Sequence, residues 1–119
     1  MATNPISIPE LNLETVRTPE EIIVRCTGRI TSATSAELQT SVRRLIPETK
    51  RVVLDLSNVS NMDSSGLGAI VSIYLSATRQ RCGLKLIHLN QRVRDLFRLT
   101  KLAAVFEGHE DFPGVTPDK

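Results

Sequence analysis

Single helix-like segments alternate with short strand-like ones along most of this chain, which predicts one α/β domain with a mixed, mostly parallel β-sheet. Three observations carry that reading. The run Val52-Val53-Leu54-Asp55-Leu56 is apolar almost throughout and suits an interior strand. The segments around Leu38 and Ile70 place apolar residues at helical spacing. The composition, 119 residues with 40% apolar but only 3% aromatic, allows one aliphatic core that needs no staples.

The elements follow in order. Met1 to Pro9, with Pro5 and Pro9 among small polar residues, reads as a loose arm, and residues 1–10 as a flexible extension. Leu11, Leu13 and Thr15 alternate with polar residues and predict a first strand. Pro19 supplies the turn into a second strand, Ile22 to Thr27, which Gly28 is expected to end. Ser32 or Thr34 can cap a helix carrying Leu38, Val42, Leu45 and Ile46, with Pro47 at its exit. The central strand Val52 to Leu56 comes next. A second helix, with Leu67, Ile70, Val71, Tyr74, Leu75 and Thr78 on one side, runs until Gly83 stops it as a left-handed C-terminal residue. Leu84 to Leu89 returns as a strand, Asn90 caps a short helix with Val93, Leu96 and Phe97, and Ala103 to Phe106 can form a last strand. The domain is bounded at 11–110, with 111–119 a polar, flexible tail.

Several function classes fit poorly. The two histidines, His88 in an apolar stretch and His109 in the tail, have no cysteine or carboxylate at metal-ligand spacing. No Gly-x-Ser-x-Gly nucleophile turn is present, so an enzyme is not expected. Gly66-Leu67-Gly68 lacks both the third glycine of a dinucleotide turn and the Gly-Lys-Ser/Thr of a phosphate loop, so no cofactor is expected. Cys26 and Cys82 read as reduced thiols of a cytoplasmic protein. Neither a secretory leader nor an apolar stretch long enough to span a membrane is found. The formal charge of +2 hides a basic stretch: Arg79, Arg81, Lys85, Arg92, Arg94, Arg98 and Lys101 are opposed only by Asp95. An ordinary solvated surface accounts for it best, since no aromatic stacking platform accompanies it; direct nucleic-acid binding is not expected.

The segment Met62-Asp63-Ser64-Ser65-Gly66-Leu67-Gly68 lies where a strand becomes a helix. Ser64 or Ser65 can cap that helix, and Asp63 places a carboxylate at the positive end of its dipole. Gly66 and Gly68 leave room for another backbone to approach. A phosphate on either serine would meet unpaired backbone N–H groups while adding about −1.5 to −2 charges. The segment is therefore either a structural turn or a charge switch.

The element order, Val52-Val53-Leu54-Asp55-Leu56-Ser57, the Asp63 to Gly68 run and Asn90-Gln91-Arg92-Val93-Arg94-Asp95-Leu96-Phe97 together resemble the STAS domain family, especially bacterial anti-sigma factor antagonists, from about Leu11 to Phe106. The resemblance implies a STAS-like fold with helices packed mainly on one face of the sheet. It also implies a domain that catalyses nothing itself. Its unphosphorylated form would bind an anti-sigma factor, commonly one with a serine kinase domain, and a serine phosphatase would restore that form after phosphorylation. Ser64 is the implied phosphoacceptor, ahead of Ser65. Gly28, Arg29, Thr31, Ser32, Asp63, Ser64, Ser65, Gly66 and Leu67 are the expected partner-contact residues, and a second copy of the chain is a further candidate partner. One departure stands out: family members often carry Gly-Glu-Leu/Ile-Asp after the second strand, where this chain has Gly28-Arg29-Ile30-Thr31. Two alternatives stay open, a non-switching scaffold in a signalling or transport-associated assembly and an anion- or nucleotide-binding domain.

Overall fold

The computed structural model describes residues 10–99. Four strands form one sheet in the order β1 (Leu11–Arg17), β2 (Ile22–Ile30), β3 (Arg51–Met62) and β4 (Gly83–Ile87). β1 runs antiparallel to β2, whereas β2–β3 and β3–β4 are parallel. The connections are α1 (Ser35–Leu45) and its closing 3-10 turn Ile46–Glu48, then α2 (Ser64–Arg79), and α3 (Gln91–Leu99) follows β4. The mixed, mostly parallel sheet with helices to one side matches the expected fold class. The anticipated strand at Ala103 to Phe106 and the terminal extensions lie outside the described residues.

Alternation along the strands sorts the two faces. Ile22, Val24, Cys26, Val52, Leu54, Leu56, Leu84 and Leu86 share one buried core with Leu38 and Val42 of α1 and Leu67, Ile70 and Ile73 of α2. Burying each such Leu, Ile or Val contributes about 1.5–3 kcal/mol, so the helix-covered face supplies most of the driving force. The opposite face carries Ile23, Arg25, Val53, Asp55 and Lys85, and of these Val53 and Asp55 are themselves buried.

Five local expectations need correction. Gly28 does not end the second strand: it takes a positive φ of 119° within β2, which continues to Ile30 with register shifts on either side. β3 likewise runs past Leu56 to Met62, because the extended second half of β2 keeps pairing its polar residues Asn58 and Asn61. On α2 the inner face is Gly66, Leu67, Ala69, Ile70, Ile73 and Ala77, while Leu75 is 49% exposed. Small Ala69 and Ala77 let the helix lie close to the sheet, rotating the buried stripe away from the bulkier residues. Gly83 does not stop α2 either. Arg81 adopts the left-handed turn (φ 59°), Cys82 N–H donates to Ala77 O at 2.8 Å, and Gly83 already belongs to β4. His88, expected inside a strand, follows β4 at φ 60° with an exposed side chain.

Candidate functional site

The site lies where parallel strands β2 and β3 end beside each other. Ile30 pairs with Met62 as the last rung, so the loop after β2 and the helix after β3 emerge together. Asp63 leaves the sheet in extended conformation (φ −115°, ψ −172°) and is the N-cap of α2; its Oδ1 accepts from Gly66 N–H at 3.0 Å. Its carbonyl accepts the first helical bond from Leu67 N–H at 3.0 Å. Capping therefore falls to Asp63 and not to either serine. Ser64 and Ser65 become the first two helical residues, both exposed, and neither hydroxyl has a partner among the described residues.

Their position has a chemical consequence. The first N–H groups of a helix have no intrahelical acceptor, and Asp63 uses only that of Gly66. The N–H groups of Ser64 and Ser65 thus share the helix's positive end with two free hydroxyls. An oxyanion formed on Ser64 would sit where backbone donors and the dipole favour negative charge.

Gly66 is required by packing. A Cβ there would lie 2.0 Å from the carbonyl oxygen of Ile30 and 2.8 Å from its carbon, so the start of α2 is pressed directly onto the end of β2. Leu67, counted among the contact residues on sequence grounds, is only 2% exposed and belongs to the core. Gly68 differs: it is exposed, and a Cβ there meets nothing within 4 Å.

The neighbouring segment 28–32 is held from both sides. Gly28 is confined by its positive φ and by Glu10 O, which would lie 2.2 Å from a Cβ. Arg29 N–H donates to that same Glu10 oxygen at 2.8 Å, and Ser60 Oγ donates to Gly28 O at 3.2 Å. Thr34, a cap candidate by sequence, instead bridges the turn: its hydroxyl accepts from Thr31 N–H at 3.0 Å and donates to Arg29 O at 2.8 Å. Arg29 and Ser32 are exposed and Thr31 is half-buried. The expected contact residues therefore come together, with Gly66 and Leu67 turned inward as supports.

Asp55 is a feature that the sequence reading passed over. It is buried on the face of the sheet away from α1 and α2, and its Oδ1 accepts from Ser57 N–H at 3.0 Å and lies 3.1 Å from His88 Nδ1, while Arg25 Nε stands 3.7 Å from Oδ2. Burial alone would raise its pKa, but the hydrogen bonds from Ser57 and His88 prevail and hold it below the usual carboxylate value. The signal was the lone charge in the run Val52 to Leu56. Cys26 is buried beneath the sheet, and that burial, reinforced by the charge of Asp55, pushes its thiol up to about 12. Cys26 and Cys82 are both free. The basic stretch from Arg79 onward is divided, because Arg79 and Arg81 lie by the start of β4 and Arg92 and Arg98 on the helix after its end. No group of three or more potential metal ligands occurs among the described residues, and no helix there is long and apolar enough to cross a membrane.

Comparison with known proteins places this geometry in a family. The anti-sigma-B factor antagonist of Staphylococcus epidermidis is 30% identical over 101 residues, covering 84% of this chain and 94% of its own. An anti-sigma factor antagonist from Mycobacterium paratuberculosis has a similar fold, with a TM-score of 0.74 at 21% identity over 86% of this chain and 88% of that one. The Bacillus cell fate determinant SpoIIAA in its phosphorylated form superposes with a TM-score of 0.62 at 19% identity, over 79% and 86% of the two chains. The STAS domain model matches residues 12–113, and the chain belongs to the STAS domain family.

Proposed function

We propose that this domain is a cytoplasmic anti-sigma factor antagonist that switches partners through phosphorylation of Ser64. The unphosphorylated protein binds an anti-sigma factor bearing a serine kinase domain and so releases the sigma factor. Phosphate on Ser64 breaks that complex, and a serine phosphatase restores it. The domain is the substrate of these reactions and catalyses neither.

One observation carries the reading: Asp63 does the capping, so the exposed Ser64 hydroxyl is not needed by the fold. A kinase can use it without dismantling the helix start. Phosphate would add about −1.5 to −2 charges beside the Asp63 carboxylate, accommodated within the molecule by the helix end. At a closed interface the same charge must be desolvated, and it repels any acidic group opposite, so affinity falls while the fold persists. Ser65 lies one residue further into the helix and is also exposed, so it is the second candidate acceptor.

The test takes candidate anti-sigma factors from the source genome and measures them by calorimetry against wild type, Ser64→Ala and enzymatically phosphorylated protein. Ser64→Ala should bind and resist phosphorylation, whereas phosphorylated wild type should bind at least about tenfold more weakly. Equal affinity of the two wild-type forms would sink the switch, and phosphate mapped only to Ser65 would reassign the acceptor.

A further inference from the structure

Between the end of β3 and α3 lies a groove outside the Asp63 to Gly68 motif. It has a volume of about 460 Å³ and is lined by Met62, Gln91, Arg92, Asp95, Leu96 and Leu99, a size that accommodates a few ligand side chains. Met62 and the two leucines give it an apolar lining, and Leu99 is 81% exposed. Asn90 Nδ2 donates to Val59 O at 2.7 Å, which fixes the start of α3 against the last stretch of β3 and so keeps the two walls together.

Charge indicates the occupant. The one acid of the groove, Asp95, is already engaged: its Oδ1 accepts from Gln91 Nε2 at 2.7 Å and stands 3.6 Å from Arg98 Nη1. Arg92 is exposed and has no ion pair among the described residues. The groove is thus apolar at its base and positive at its rim. An apolar side chain flanked by a carboxylate satisfies both, the first by burial and the second by a charge-assisted hydrogen bond from the guanidinium.

We propose that this groove receives an acidic, apolar segment of the anti-sigma factor, as a second anchor of the interface centred on Ser64. The inference rests on the antagonist reading above. The two anchors are continuous, because Met62 is two residues before Ser64, at most about 7 Å of chain. A partner that covers Asp63 to Gly66 extends over the groove with little further reach. The arrangement also places the new phosphate charge close to where the partner's own carboxylate would dock, which adds repulsion to the cost of desolvation.

The experiment titrates the full chain with the anti-sigma factor that binds it, chosen from candidates in the source genome, following affinity by calorimetry and the Met62, Leu96 and Leu99 methyl groups by NMR. Arg92→Glu and Leu99→Asp change exposed positions, so thermal melts should match wild type while each weakens binding about tenfold or more; Arg92→Lys should retain most of it. Variants that bind like wild type, while phosphorylation still weakens binding, would overturn the groove and leave the switch standing. The converse result, weakened variants with phosphorylation inert, would remove the switch and keep the groove. Methyl contacts from residues 100–119 that persist in the complex, or methyl shifts that depend on protein concentration without the partner, would assign the groove to the chain itself or to a second copy, and either would overturn the proposal. If wild type binds no such factor, both readings fall.

Discussion

Two strand-to-helix junctions lie at the same end of the sheet and are built differently. After β3, Asp63 caps α2 through Gly66 N–H at 3.0 Å, and the chain enters the helix at once with Ser64, Ser65 and Gly66. After β4, His88 and Leu89 intervene before Asn90 caps α3 through Val93 N–H at 2.9 Å, and the helix begins with the long side chains Gln91 and Arg92. Both use a side-chain oxygen on the N–H three residues ahead. The first is secured by backbone contact and presents small hydroxyls. The second is secured by side chains, through Asn90 to Val59 and His88 to Asp55. Security by backbone leaves the surface free for chemistry, while security by side chains leaves long residues beyond the cap free for recognition.

The contrast is broken most strongly at Gly66. With a Cβ placed 2.0 Å from Ile30 O, which is backbone and has no rotamer to yield, Gly66→Ala must lift the start of α2 from the sheet. A loss of about 3 kcal/mol or more is expected, at or above the upper end of ordinary overpacking. Urea unfolding measures it, and a loss below 1 kcal/mol would mean that the junction adjusts by means other than backbone contact.

The caps provide the next test. Asn90→Ala removes both the bond to Val93 N–H and the tie to Val59 O, leaving that carbonyl without its side-chain donor. About 2 kcal/mol should be lost, against about 1 kcal/mol for Asp63→Ala, which removes the cap alone. The reverse ranking in denaturant titrations would contradict the division of labour between the junctions.

The side-chain tie at His88 is sharpened by pH. The folded pKa of Asp55 lies below its unfolded value, so its contribution is fully present above the unfolded pKa of about 3.9 and fades as pH falls through the folded pKa. Asp55→Asn should therefore cost about 1–2 kcal/mol at pH 6. The gap to wild type should close in the acid limb of a stability profile. A gap that persists unchanged at pH 2 would show that packing, not ionisation, sets the role of Asp55.

The element order was legible in the sequence through apolar periodicity, whereas the meeting of segment 28–32 with the Asp63 motif was implied only by the family resemblance. Its physical cause is the parallel pairing of β2 with β3, which ends both strands side by side. What escaped the sequence depended on distances between remote residues. Nothing in the local sequence says that Gly66 opposes Ile30 O, and so that its smallness serves the fold rather than a partner. Asp63 and Ser64 both have capping side chains, and only the backbone path at the end of β3 decides that Asp63 does it. Asp55 reads as a blemish in an apolar run until His88, 33 residues later, turns its ring toward it. Gly83 is the better left-handed residue in isolation, but β4 claims it for pairing and Arg81 takes the turn.

The smallest effect isolates function most cleanly. Gly68 sits inside α2, exposed, with open space where a Cβ would go. Helix propensity therefore predicts that Gly68→Ala stabilises the domain by about 0.5–1 kcal/mol. A residue that weakens its own helix and relieves no contact is not explained by the fold, unlike Gly66 two positions earlier. If a partner backbone closes over this turn, the added methyl group should weaken anti-sigma factor binding even as the melting temperature rises. The two readouts then move in opposite directions, which a merely structural glycine cannot produce. Stabilisation with unchanged affinity would exclude Gly68 from the interface and confine the contact to Ser64, Ser65 and the segment beside them.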